Sequence, residues 1–92
     1  MIRSFNCDET RAIFEGESAP RFGNIRRVVE RKLFMLNNAS ILDDLRSPPG
    51  NRLEPLSGDR AGQHSIRVND QFRLCFRWTP TGPEDVELVD YH

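Results

Sequence analysis

Between residues 22 and 78 the apolar pattern of this chain changes its period from that of a helix to that of a strand, and this change constrains the fold most tightly. Phe22, Ile25, Val29, Leu33 and Leu36 recur at spacings of three and four, an apolar stripe along a helix over about 21–38. Further on, Phe72, Leu74, Phe76 and Trp78 alternate with Arg73, Cys75 and Arg77. His64, Ile66 and Val68 alternate in the same way with Gln63, Ser65 and Arg67. Each is a strand with one apolar face. Helices early and strands late predict an α+β fold: an antiparallel-dominated twisted sheet with two or three helices packed on one face. The 92 residues suit a single domain, with no room for a separate cofactor-binding domain.

The remaining segments fit around these. Ile2-Arg3-Ser4-Phe5 alternates and predicts a short opening strand. Asp8 is placed to cap a helix over Thr10 to Glu15 that Gly16 stops, and residues 17–20 read as a linker. Ser40 with Asp43 three residues on predicts a capping box for a helix from Ile41 to Arg46, ended by Ser47-Pro48-Pro49-Gly50. Leu53 to Leu56 is a short extended piece that Pro55 confines to an edge. Residues 57–62 form a loop, Asn69 to Gln71 a turn, Thr79 to Pro83 a hairpin loop, and Val86 to Tyr91 the closing strand. Val86, Leu88 and Val89 are all apolar, which allows a bulge there and leaves the faces of Asp90 and Tyr91 unassigned.

Charge narrows the function classes. The formal net charge of −1 does not by itself announce a nucleic-acid binder, yet twelve of the thirteen cations are arginine, Lys32 being the exception. Arginine suits bidentate phosphate recognition better than lysine, although a high-GC genome produces the same bias. Residues 51–78 carry five arginines against three carboxylates, whereas residues 79–92 carry four carboxylates and no lysine or arginine. Arg26, Arg27, Arg31 and Lys32 lie off the helical stripe, a solvated face or a partner surface. Cys7 and Cys75 lack metal-ligand spacing and read as reduced thiols, and the two histidines add no ligand pair. No metal or other cofactor is expected. No apolar run approaches the length of a membrane span, and no signal-peptide core opens the chain, so a cytoplasmic protein is expected.

Chemistry must then come from side chains on the sheet. Alternation places Arg73, Cys75 and Arg77 with Ser65 and Arg67 on the face away from the helices, which predicts a basic, open sheet face. Glu54 lies on the strand before it, and the chain closes on Asp90-Tyr91-His92. Cutting RNA through its 2′-hydroxyl needs a base, an acid and positive charge at the phosphate, and these residue types can supply all three. His64 shares a face with Ile66 and Val68 and reads as a satisfied, partly buried histidine. Cys75 reads as a packing residue, since no base is assignable beside it. On residue types alone, a terminal Asp-Tyr-His is a short polar end and no more.

In combination the motifs say more. Leu56-Ser57-Gly58-Asp59-Arg60-Ala61-Gly62, then Ser65-Ile66-Arg67-Val68-Asn69-Asp70-Gln71-Phe72-Arg73-Leu74-Cys75-Phe76, and the closing Val89-Asp90-Tyr91-His92 resemble the HigB branch of RelE-like toxins. Met1 to Phe5 and the helix-to-Pro-Pro-Gly stretch resemble that branch too, most closely its GraT-type members. The resemblance covers essentially the whole chain, 1–92. It implies a compact RelE-like fold and a type II toxin, a ribosome-dependent endoribonuclease that cleaves mRNA in the ribosomal A site. It also implies a HigA-type helix-turn-helix antitoxin as partner, with operator DNA reached only through that antitoxin, and the 70S ribosome as the place of action. Carried over by position, Arg73 contacts the scissile phosphate, Asp90 and Tyr91 shape the pocket, and His92 transfers the proton. Arg60, Arg67 and Arg77 are RNA or ribosome contacts by charge and face. Family members can carry a histidine and a lysine where this chain has Glu54 and Ser57. Glu54 can serve as a base, but the lost cation predicts a milder toxin. Two other readings stay open: a RelE-like fold that acts by binding without efficient cleavage, and a structural protein with no toxicity.

Overall fold

The computed structural model describes residues 1–90; Tyr91 and His92 lie outside the described residues. Two α-helices precede a four-stranded antiparallel sheet: α1 (Asp8–Phe14), α2 (Arg26–Asn38), β1 (Glu54–Pro55), β2 (His64–Arg67), β3 (Phe72–Thr79) and β4 (Gly82–Asp90). The strands lie in chain order, β1-β2-β3-β4. The helices cover one face, as the apolar stripe requires. Val29, Leu33 and Leu36 of α2 and Ile13 of α1 pack with Ile66, Leu74, Phe76, Val86 and Leu88 of the sheet, with Phe72 and Trp78 at the margin. At about 1.5–3 kcal/mol per fully buried large apolar side chain, this cluster is the main stabilising term.

Several local expectations are corrected. Asp8 does not cap α1; Cys7 occupies that position without a side-chain bond, and Asp8 enters the helix with Glu9, where the helix dipole favours carboxylates. Gly16, at φ 79, ends the helix as expected. The amides of Glu17 and Gly16 donate back to the carbonyls of Ala12 and Ile13, a Schellman closure. The second helix starts at Arg26 and not near 21. Phe22 instead closes a 3-10 turn begun by Pro20. Phe22 and Ile25 keep the stripe because a 3-10 turn also returns side chains every third residue.

The segment after α2 is a 3-10 helix, Leu42–Arg46. Its cap is Asp44 rather than the Ser40/Asp43 pair: the Asp44 carboxylate accepts the amides of Ser40 at 2.8 Å and Ile41 at 3.2 Å. Asp43 pairs with Arg46 instead. The Pro-Pro-Gly loop is then fixed by Asn51, which is fully buried. Its Nδ2 donates to the carbonyls of Leu45 and Ser47, and its Oδ1 accepts from Lys32 of α2. Burial holds the Lys32 ammonium below its ordinary pKa, and the charges of Arg31 and Arg67 act in the same direction.

At the other edge, residues 2–5 form no strand beyond a single parallel bridge, Phe5 to Val86. Arg3 donates to the Pro83 carbonyl and Val86 to the Ser4 carbonyl, so the segment does lie along β4. A regular ladder is interrupted because β4 carries a bulge opposite Cys75 and Arg77, where Asp85 takes φ 54. The hairpin loop is shorter than expected: Thr79 pairs directly with Gly82, so β4 begins four residues before Val86. Gly82 itself has φ +129, and a Cβ there would lie 2.1 Å from the Met1 carbonyl oxygen. Gly82→Ala is therefore expected to lower stability by about 1–3 kcal/mol, read as a lower urea midpoint. An unchanged midpoint would mean that the N-terminal segment does not pack against β4 as described.

Candidate active site

The face of the sheet away from the helices is not open. Ser65 and Cys75 are completely buried there, and Arg73 is only 8% exposed. The alternation assigned these side chains to the correct side, but the segment from Arg52 to Arg60 lies against them, with the Arg52 carbonyl and Glu54 at Arg73 and Arg60 at Glu87. Register explains what is brought together. Glu54, Ser65, Cys75 and Glu87 are successive cross-strand partners, one row through all four strands. Arg73 stands two residues along β3 on the same face, and Arg60 reaches in from the 3-10 turn Gly58–Arg60.

Two arginines and two glutamates thus surround a buried Ser–Cys pair. Arg73 donates from Nε to Ser65 Oγ at 2.7 Å and from Nη2 to the Arg52 carbonyl at 2.6 Å. Its Nη2 lies 3.6 Å from Glu54 Oε1, an ion pair without hydrogen-bond contact. Arg60 Nη1 donates to Glu87 Oε1 at 3.0 Å and to Gln63 Oε1 at 3.2 Å. Burial pushes the Cys75 thiol up from its ordinary pKa, and Glu87 and Glu54 act in that direction against Arg60 and Arg73. A thiol held neutral is a packing group and a poor nucleophile.

The other expected contacts separate from this cluster. Arg77 is exposed on β3 with Asp85 at 3.7 Å, and Arg67 pairs with Asp70 in the β2–β3 turn. Asp90 is the register partner of Phe72, which puts it on the helix side of the sheet, opposite to Arg73. There it accepts from Gln71 Nε2 at 3.0 Å, beside a hollow lined by Arg21, Phe22 and Phe72. Tyr91 and His92 are site residues by resemblance and fall outside the described residues. His64 is partly buried as expected but not satisfied: its Nδ1 is buried without a hydrogen-bond partner. Its register partners, Pro55 and Phe76, bring no polar side chain, and its ring stacks on Phe76 at 6.4 Å. Among the described residues no group of histidine, cysteine and carboxylate side chains could hold a metal. No described helix is long and apolar enough to cross a membrane.

A family model for the "RelE-like toxin of type II toxin-antitoxin system HigB" matches residues 3–92. The chain belongs to the HigB-like toxin family. Among its relatives, Toxin HigB-1 of Vibrio cholerae is 51% identical over 55 residues, covering 60% of this chain and 58% of that protein. An uncharacterized protein of Haemophilus influenzae is 44% identical over 55 residues, covering 60% and 54% respectively. The aligned region therefore spans little more than half the length of either relative. In architecture the chain is similar to a chain of the YoeB-YefM complex from Staphylococcus aureus, with a TM-score of 0.62 over 100% of this chain and 98% of that one. At 14% identity that likeness is one of fold, and it places this HigB-like toxin in the RelE-type α+β architecture.

Sequence reasoning found Arg73, Ser65 and Glu54 but missed Glu87 and the Arg52 carbonyl as their neighbours. Glu87 could be found only by knowing where β4 bulges. The Arg52 carbonyl is a backbone group and leaves no side-chain signal. One consequence is chemical. Iodoacetamide at pH 8 is expected to alkylate the partly exposed Cys7 and to leave Cys75 untouched until the protein unfolds. Because the folded-state pKa of Cys75 is raised, the stability linked to its neutral thiol is present below the ordinary thiol pKa. It declines as pH rises toward the folded value. Equal labelling of both cysteines in native protein would contradict the burial.

Proposed function

We propose that residues 1–92 form one toxin domain acting in the cytoplasm as a ribosome-dependent endoribonuclease, which cleaves mRNA in the ribosomal A site and so stops translation and growth. The observation that carries this reading is the family match over residues 3–92 on a fold that sets a nearly buried, neutrally hydrogen-bonded Arg73 in the sheet face. In this reading the 2′-oxygen of one nucleotide forms a bond to phosphorus as the bond to the departing 5′-oxygen breaks. Arg73 stabilises the charge that collects on the phosphate oxygens. The Ser65 hydroxyl and the Arg52 carbonyl orient the guanidinium without opposing its charge, which Glu54 offsets in part. Glu54, beside Arg73, accepts the 2′-hydroxyl proton, and His92 supplies a proton to the leaving oxygen with Tyr91 shaping its pocket. Asp90, on the other face of the sheet from Arg73, contributes by anchoring the strand end that precedes them. Arg60, Arg67 and Arg77 meet mRNA or ribosomal RNA, which must compete with the carboxylates they now pair with. The exposed pairs of Arg67 and Arg77 are worth about 0–1 kcal/mol, so a phosphate can displace them, whereas the Arg60–Glu87 pair is partly buried and held more firmly.

A HigA-type helix-turn-helix antitoxin neutralises the toxin in this reading, and contact with operator DNA runs only through that antitoxin. The pairing of Arg73 with Glu54, where a histidine occurs in other family members, favours a second reading in which the domain binds ribosomes or antitoxin with little cleavage. Expression in growing cells followed by mapping of mRNA 5′ ends separates the two. New 5′ ends that disappear with Arg73→Ala and with His92→Ala are expected; inhibited translation over intact mRNA would replace cleavage by binding. Removing Tyr91 and His92 is expected to abolish toxicity while the truncated chain still melts cooperatively, because the apolar residues Val86, Leu88 and Val89 remain. Loss of soluble protein on that truncation would make the tail structural.

A further inference from the structure

The buried environment of Arg73 assigns a role that no motif carries. We propose that Ser65 is a positioning residue for the cleavage reaction, aligning the Arg73 guanidinium through its hydroxyl while the left-handed Arg52 turn supplies a second fixed acceptor. The inference rests on the proposed role of Arg73 at the scissile phosphate.

Three observations meet at this point. Ser65 has no exposed surface, so its hydroxyl cannot touch RNA itself and acts only through what it bonds. It accepts the Nε–H of Arg73 at 2.7 Å, and its own carbonyl lies 3.4 Å from Nη2, so one residue of β2 contacts one edge of the guanidinium at two atoms. Arg52, at φ 46, is one of two non-glycine residues with positive φ among those described, and its carbonyl accepts the Nη2–H at 2.6 Å. A non-glycine residue in this region costs about 1–2 kcal/mol, and such strain persists where the surroundings impose it. Here the turn directs a carbonyl at a buried cation.

The set is also chemically selective. Hydroxyl and carbonyl acceptors are dipoles, so they fix the plane of the guanidinium without opposing its charge further than Glu54 at 3.6 Å already does. The positive charge that remains acts in a dry setting, more strongly on a phosphate than it would in water. A carboxylate at Ser65 would fix the plane equally well and cancel that charge. Arginine without a partner at Nε could rotate about its last side-chain bonds, and a displacement of about 1 Å at a reacting group can cost on the order of 100-fold in rate.

The test is a double-mutant cycle in single-turnover mRNA cleavage on programmed ribosomes, with ribosome affinity and thermal midpoint measured on each variant. Ser65→Ala is expected to lower the cleavage rate on the order of 10- to 100-fold, with ribosome affinity little changed. In an Arg73→Ala background the same substitution is expected to change the rate less than about twofold, since nothing remains for Ser65 to position. The Arg73 Nε–H resonance, followed by nitrogen-15 NMR on the free protein, is expected to shift and exchange faster in Ser65→Ala. Should Ser65→Ala cut as fast as the wild type, or should its loss persist undiminished without Arg73, the positioning role is overturned. A wild-type rate unaffected by Arg73→Ala would instead overturn the reading of Arg73 on which the role rests. If Ser65→Ala proves unstable, Ser65→Thr, which keeps the hydroxyl, must restore both the rate and the Nε–H signal; failure of either overturns the role as well.

Discussion

A guanidinium inside a sheet is the constraint on which much of this structure depends. Arg73 lies between Leu74 and Phe72 in the strongest strand of the chain, and the apolar burial that fixes that strand forces Arg73 into the opposite face. An uncompensated buried cation would be prohibitive. The chain answers with Ser65 from β2, the Arg52 carbonyl from the turn before β1, and Glu54 at ion-pair distance. These partners come from two separate stretches, β2 and the segment from Arg52 to Glu54, so satisfying Arg73 also positions the edge strand and the loop that leads into it.

That loop is held from the other side by a second buried polar group. Asn51 joins the Leu45 and Ser47 carbonyls to Lys32 of α2, one residue before Arg52 turns left-handed. The helix layer and the face that carries Arg73 are thereby connected through two adjacent residues. Both are polar groups whose bonds would be lost together if the loop moved. Buried networks of this sort specify one arrangement more than they add net stability, because an unmet partner costs more than a made bond gains.

The paired arginines give the domain a different electrostatic character from the one its composition suggests. Among the described residues, Arg60, Arg67, Arg73 and Arg77 of the sheet and its loops each have a carboxylate nearby, so their charges are compensated locally. The net charge of −1 agrees with that arrangement. A surface of compensated charges attracts polyanions less than its arginine count suggests.

The sequence by itself determined the α+β class, the helix-facing apolar set and the face on which Ser65, Arg73 and Cys75 lie. These follow from periodicity, and a side chain's side of a strand is set by its neighbours alone. Whole-chain motifs carried the family in the same way. Local signals failed where two neighbours competed for one role: Asp44 took the cap assigned to Ser40 and Asp43, and the stripe from Phe22 ran through a 3-10 turn before α2 began. Only the tertiary structure decided that the expected open face is closed. Only it put Asp90 on the opposite side from Arg73, and brought Glu87 into line with Cys75. The reason is register. One bulged residue at Asp85 changes which side chains meet across β3 and β4, and a backbone carbonyl such as that of Arg52 has no letter in the sequence to announce it.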